Sequence, residues 1–187
     1  MLPSLIRAVD TMNEYLGRAV SWFALFMVLV QFAVVLMRYV FGVGWIWVQE
    51  SIIYMHAGVF LAAAGYTLLH NGHVRVDIFY GGMGERGRAI VDFIGGFLFL
   101  LPMCAMIAWS SFGFVARAWS IFEGSPEGDN GIPGVFLLKS AILLFCAVVA
   151  LQGLAMMARS VLTLSGAEPP PSPAADPQGE GARETSV

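Results

Sequence analysis

Four long stretches of the chain carry little or no formal charge, and each is long enough to cross a lipid bilayer as a helix. Three uncharged runs cover residues 19–37, 51–69 and 93–116, and a fourth apolar stretch covers 133–158 with Lys139 as its only charge before Arg159. A run of 19 residues forms about 28 Å of helix, close to a hydrocarbon core of about 30 Å. The sequence therefore predicts an all-α integral membrane protein with four transmembrane helices.

The third and fourth predicted spans contain residues that shape membrane helices. Two adjacent glycines and Pro102 lie within the third span, which predicts a tilt or a kink there. Pro133 suits the first turn of the fourth helix. Lys139 follows six residues later, about 9 Å along the helix, so its side chain can extend outward to the membrane edge.

The segments that flank the four spans have different patterns. Residues 1–18 carry apolar side chains at helical spacing, which predicts an amphipathic interfacial helix. A cleaved signal peptide is the alternative, but its apolar region is shorter, about 7 to 15 residues. Residues 165–187 contain five prolines and no aromatic residue, so this tail is predicted to be disordered.

Composition and charge narrow the possible functions. Hydrophobic residues make up 58% of the chain and charged residues 12%, against roughly 25% charged in soluble domains. The net charge of -3 provides no basic surface, so nucleic acid is not an expected partner. Cys104 and Cys146 lie inside apolar runs, where a thiol packs as a small hydrophobe.

The distribution of basic residues predicts the orientation in the membrane. The N-terminal segment, the loop after the second span and the tail carry seven Lys and Arg residues, and the two other loops with their flanks carry three. By the positive-inside rule, both termini are predicted to be cytoplasmic.

Aromatic and charged residues gather at the outer ends of the first two spans. Arg38, Trp47 and Glu50 belong to this group, and an anchoring belt in the headgroup zone accounts for most of it. Glu50 also suits a helix start and could pair with Arg38. A contact with a docked protein is the alternative. The acidic outer loop between spans three and four likewise either meets a soluble partner or only faces solvent.

His56 is the one ionisable side chain, cysteines apart, near the middle of an uncharged run. Intramembrane ionisable residues are candidates for function, although a hydrogen bond between helices also explains one. Haem ligation needs a second axial ligand on a facing helix, and His70 and His73 are both at the inner membrane edge. No cofactor is therefore predicted.

Small residues form a stripe on the second span, at Gly58, Ala62 and Gly65. Their spacing of four and three residues places them on one helix face, where another helix can approach closely. The approaching helix belongs either to this chain or to another subunit, and the sequence is compatible with both.

Motifs for chemistry are missing from the sequence. It contains no phosphate-binding glycine loop, nucleophile motif, intramembrane carboxylate pair or zinc-ligand spacing, so no enzyme activity is predicted. A self-sufficient pump also needs several polar groups at the midplane, and the sequence offers only His56 there. A pump that works alone is therefore not predicted.

Two motifs give the chain a resemblance to a known family. Arg38-Tyr39-Val40-Phe41-Gly42 is followed by Trp47 and Glu50, and Gly72-His73-Val74-Arg75-Val76-Asp77 follows the second span. Together with the four-span layout, they resemble the small membrane subunit of tripartite ATP-independent periplasmic (TRAP) transporters, the DctQ type, over residues 14–163.

The resemblance implies an accessory role in the bacterial inner membrane. A periplasmic solute-binding protein would capture an organic acid, a large multi-span permease subunit would carry it inward with sodium, and this subunit would brace that permease within the lipid. The family-typical positions at the membrane edges would be Arg38, Trp47, Glu50, His73, Arg75 and Asp77. Two other hypotheses are a haem- or quinone-linked membrane anchor of an oxidoreductase and a self-contained homo-oligomeric transporter.

Overall fold

The computed structural model describes residues 2–73 and 80–171, and the regular structure in these ranges is entirely helical. Four helices are long and apolar enough to cross a membrane: α1 (Leu2–Phe41), α2 (Ile46–Leu69), α3 (Glu85–Ser120) and α4 (Val135–Leu164). The prediction of an all-α protein with four membrane-spanning helices is confirmed. The predictions that concern Arg75, Asp77 and residues 172–187 lie outside the described residues.

The first helix joins the predicted N-terminal helix to the first span without a break. It is 40 residues long, about 60 Å, or twice the thickness of a hydrocarbon core. Gly17 lies near the junction beneath the ring of Tyr66 on α2, where a side chain would not fit. Ile6, Asp10 and Asn13 are buried, because this part of α1 packs against α4. The N-terminal segment is thus an integral part of the helix bundle.

The second and third helices each contain one π-helical turn, at Gly58–Ala62 and Gly96–Leu100. In α3 this turn comes just before Pro102, whose ring would clash with the carbonyl of residue 98 in a regular α-helix. The wider turn moves that carbonyl away and lets the helix continue. The expected irregularity of the third span is therefore a π turn.

The fourth helix is the centre of the bundle and packs extensively against the other three. It begins at Val135, two residues after Pro133. The core lies between α2, α3 and α4 and consists of aliphatic side chains and both cysteines: Ala64, Leu68, Cys104, Cys146, Val148 and Val149. Both cysteines are free and buried, as the packing interpretation requires.

Much of the apolar surface of α1 and α3 is not covered by the rest of the chain. Trp109 on α3 is 88% exposed and Phe32 on α1 is 67% exposed. In a membrane such side chains contact lipid or another membrane protein, because lipid tails are as apolar as leucine. The four helices therefore leave broad faces for contact outside the chain.

Candidate functional site

A buried polar cluster joins α1 to α4 at the end of the bundle where α1 begins and α4 ends. We call this end the inner end and the opposite end the outer end. Asn13 donates a hydrogen bond from Nδ2 to Gln152 Oε1 at 2.9 Å, and Gln152 Nε2 donates to Asp10 Oδ1 at 3.1 Å. Arg159 forms an ion pair with the second oxygen of Asp10. Asn13 and Gln152 are 0% and 1% exposed. We call these four residues the inner cluster.

The inner cluster has a structural role, because its hydrogen bonds and its ion pair hold helices together. Buried polar groups are costly unless they are hydrogen-bonded, so these contacts favour one register of α1 on α4. Asn13 Oδ1 faces Gly65 on α2, where a Cβ would overlap it. Neither this oxygen nor Arg159 Nε has a hydrogen-bond partner within the described residues. The cluster thus fixes three helices against one another.

A second polar contact at the inner end joins α1 to the end of α2. Glu14 Oε2 lies 2.7 Å from His70 Nε2, and Arg18 Nε donates to Glu14 Oε1 at 2.8 Å. The ring of Tyr66 lies 4.3 Å from that of His70. His70 is therefore held by α1, and about 20 Å of helix separates it from His56. These two histidines cannot ligate one haem together.

At the outer end, Glu50 on α2 binds the loop between α3 and α4. Its carboxylate accepts hydrogen bonds from the Ser125 hydroxyl and from the Ile132 backbone N–H, the latter at 2.6 Å. A Cβ at Gly131 would overlap Ser125 and come within 2.8 Å of Glu50 Oε2. The pairing with Arg38 that the sequence allows is not among the contacts of Glu50 in the described residues, and the loop supplies its donors instead.

Two further contacts fix the start of α4 at the outer end. Lys139 Nζ lies 2.6 Å from Glu123 Oε2 and 3.9 Å from the centre of the Phe114 ring. Trp119 Nε1 donates to the Ser140 hydroxyl at 2.8 Å. Lys139 therefore extends toward the outer loop, as expected from its distance to the helix start.

The small-residue stripe of α2 faces the interior of the bundle. Gly58 lies against the Phe23 ring of α1, with 3.0 Å between a Cβ built on the glycine and the ring. A Cβ at Gly65 would approach the Val148 carbonyl of α4 to 3.1 Å, and Ala62 is 5% exposed. The stripe therefore serves packing within the chain, and no contact with another subunit is needed to explain it.

The remaining predicted positions that the structure describes lie at or near the ends of helices. Arg38 is in the last turn of α1, and Trp47 is 55% exposed near the start of α2. His73 follows α2 and is exposed. It borders a crevice of about 900 Å³ between α2, α3 and α4 with a mainly apolar lining that includes Phe99 and Phe145. The crevice suits lipid chains or apolar side chains of another protein.

His56 points out of the bundle. Its side chain is exposed, and its ring lies 4.5 Å from the ring of Phe60. The hydrogen bond to another helix of this chain that the sequence suggested is absent from residues 2–73 and 80–171. In the same ranges, no three metal-binding side chains come together.

Sequence reasoning missed the inner cluster. The predicted amphipathic helix over residues 1–18 leaves Asp10 on a polar face, and nothing in that pattern singles out Asn13. Gln152 was the available signal, because it is an amide side chain in the middle of an otherwise apolar stretch. Such a residue requires a hydrogen-bond partner on another helix.

Two comparisons with known proteins indicate the same family. Residues 27–163 match the profile of the family described as tripartite ATP-independent periplasmic transporters, DctQ component. The chain is 27% identical over 125 residues to the C4-dicarboxylate TRAP transporter small permease protein DctQ of Vibrio cholerae serotype O1 (strain ATCC 39315 / El Tor Inaba N16961). This match covers 64% of the chain and 52% of the relative, so it spans about half of that protein. No solved structure matches the chain.

Proposed function

This chain belongs to the DctQ family of tripartite ATP-independent periplasmic transporters, and we propose that it is an accessory subunit that braces a larger permease. Members of this family are components of transporters and not enzymes. The observation that carries the proposal is the placement of the polar side chains. The inner cluster and the contacts of Glu50 join helices to each other at the two ends of the bundle.

The middle of the bundle supports a bracing role better than a transporting one. Ala64, Cys146 and Val149 belong to the core that fills the space between α2, α3 and α4. A solute or ion pathway requires polar groups or discontinuous helices that line a cavity near the midplane. A rigid, apolar bundle suits a scaffold that holds another membrane protein.

The uncovered faces of α1 and α3 leave room for such a partner. In a membrane, uncovered apolar helix faces contact either lipid or another membrane protein. We propose that the partner is the large multi-span permease subunit and that a periplasmic solute-binding protein delivers solute to the pair. Both termini face the cytoplasm in this arrangement, as the distribution of basic residues predicts.

The substrate class is part of the proposal. The curated relative is named for C4-dicarboxylate transport, so an organic acid of that kind is the first candidate, with sodium as the coupling ion. We assign both the acid and the ion to the partner subunits, because each buried polar residue in the described part of this chain makes a hydrogen bond within the chain.

Reconstitution in liposomes tests this role. Uptake of a panel of labelled dicarboxylates is measured with the large subunit and binding protein, with and without this chain, under an inward sodium gradient. Uptake that requires all three proteins supports the proposal. Uptake by liposomes that contain this chain alone contradicts it and supports the self-contained transporter instead.

A further inference from the structure

Three outward-facing side chains of α2 form a single stripe at membrane depth. Ile53 and Phe60 are 55% and 65% exposed, and the exposed His56 lies between them at helical spacing. His56 is six residues beyond Glu50, about 9 Å along the helix. We call Ile53, His56 and Phe60 the His56 stripe.

The contact between α2 and α1 also indicates that the His56 stripe lies within the membrane. Gly58 packs against Phe23 of α1, and Phe23 lies inside the uncharged run between Arg18 and Arg38. The imidazole is therefore flanked by apolar groups on α2 and lies at a level where α1 is also apolar. Water is scarce at this level, so other groups must satisfy the ring nitrogens.

The imidazole needs a hydrogen-bond partner, and the described residues of its own chain do not supply one. A neutral histidine has one N–H donor and one nitrogen acceptor. In the part of the chain that the structure describes, no group makes a hydrogen bond to His56. Lipid tails offer neither a donor nor an acceptor, and leaving the ring unpaired in hydrocarbon is costly. Ionisable residues in membrane helices accordingly face protein or a water-filled cavity.

We propose that the His56 stripe is the surface on which a transmembrane helix of the large permease subunit docks. That helix presents a hydrogen-bonding side chain to His56, and its apolar side chains cover Ile53 and Phe60. The ring of Phe60, 4.5 Å from the imidazole, shields one side of the hydrogen bond. This inference rests on the proposed function, since it assigns the bracing contact to one face of one helix.

Site-specific photo-cross-linking in the assembled transporter tests the contact. The cross-linker p-benzoyl-phenylalanine replaces Phe60 in one variant and Leu154 on α4 in a control, and each is co-expressed with the large subunit. Leu154 is the control because it is a large apolar residue, 48% exposed, on a helix to which no partner contact is assigned. Cross-links from position 60 to the large subunit support the inference. Cross-links from position 60 only to lipid or to a second copy of this chain overturn it.

Substitution of His56 tests the hydrogen bond. His56→Leu removes both nitrogens, whereas His56→Gln keeps a donor and an acceptor at similar length. Hydrogen bonds between membrane helices are worth enough to change an equilibrium about three- to tenfold. We expect His56→Leu to weaken binding of the large subunit by that factor and His56→Gln to restore most of it. Equal binding by wild type and His56→Leu contradicts the inference.

The experiments distinguish an error in the proposed function from an error in the docking surface. If the wild-type chain does not bind the large subunit, the proposed function fails. If the wild-type chain binds it, but position 60 gives no cross-link to it and His56→Leu has no effect, only the docking surface is wrong. His56→Leu leaves the inner cluster intact, so its thermal unfolding in detergent is expected to match that of the wild type.

Discussion

Gln152 on α4 donates a hydrogen bond to Asp10 on α1 at 3.1 Å, although 142 residues separate them in the chain. Gln152 also accepts from Asn13, so one amide holds two positions of the same helix. The long first helix is therefore fixed in register against the central helix.

We predict that Gln152→Leu destabilises the bundle by about 1–3 kcal/mol, because it leaves buried groups of Asp10 and Asn13 unpaired. The measurement is reversible unfolding in detergent. Leu151→Ala is the control, since Leu151 is partly exposed on the adjacent position of α4. A Gln152→Leu protein as stable as the control would contradict the structural role of the inner cluster.

The Asp10–Arg159 ion pair is predicted to be strongly coupled. Only 15% of the Arg159 side chain and 9% of the Asp10 side chain are exposed, so removing either partner leaves a poorly solvated charge. The upper bound on this cost is the value for fully buried pairs, about 3–5 kcal/mol. In a double-mutant cycle, Asp10→Ala combined with Arg159→Ala should cost clearly less than the sum of the single changes. Additive losses would show that the pair does not interact in the folded protein.

The exposed pair of Arg18 and Glu14 provides a comparison for that cycle. Arg18 has 62% of its side chain exposed, so its coupling to Glu14 is expected to be at most about 1 kcal/mol. Raising the salt concentration should weaken this pair and leave the Asp10–Arg159 coupling nearly unchanged, because buried pairs are screened much less.

A pair of glycine substitutions tests close packing on α2. Gly65→Ala is predicted to destabilise by about 1–3 kcal/mol, because the new Cβ overlaps Asn13 and crowds the Val148 carbonyl. Gly95→Ala on α3 meets no atom within 4 Å, so it should be neutral or slightly stabilising. Thermal unfolding of the two variants measures the difference. Equal stability of both would contradict the close approach at Gly65.

The outer loop is predicted to loosen when Glu50 is replaced. Glu50→Ala removes the acceptor for the Ile132 N–H, so hydrogen exchange in a peptide that includes residue 132 should speed up. Glu50→Gln keeps one acceptor oxygen and should have a smaller effect. Glu127→Ala is the control, because Glu127 is exposed in the same loop. Unchanged exchange in Glu50→Ala would show that another group holds the loop.

The number of helices could be predicted because it depends on local composition alone. An uncharged run of 19 residues has few alternatives to a membrane-spanning helix. The continuity of α1 was harder to predict, because residues 1–18 are amphipathic and such a segment suits a membrane surface or a protein surface equally well. Contacts with α4 and with Tyr66 decide between them, and these contacts join distant parts of the chain.

The sequence did not determine which neighbour each of these side chains faces. The spacing of Gly58, Ala62 and Gly65 predicted a closely packed face, but spacing alone does not identify the neighbour. His56 was recognised as an unusual residue, yet its outward direction depends on the rotation of α2 in the bundle. Arg38 is a possible partner for Glu50 in the sequence because both lie at the same end of the first two spans, whereas Ser125, which donates to Glu50, follows 75 residues later.

The composition of the complex that this chain forms in native membranes tests most directly whether it is an accessory subunit of a larger permease. A tag after Ser165 allows purification in mild detergent, followed by mass spectrometry and measurement of the intact mass. If this chain braces a permease, one large multi-span membrane protein is recovered in a fixed ratio to it. Recovery of this chain alone or as a homo-oligomer would contradict this role.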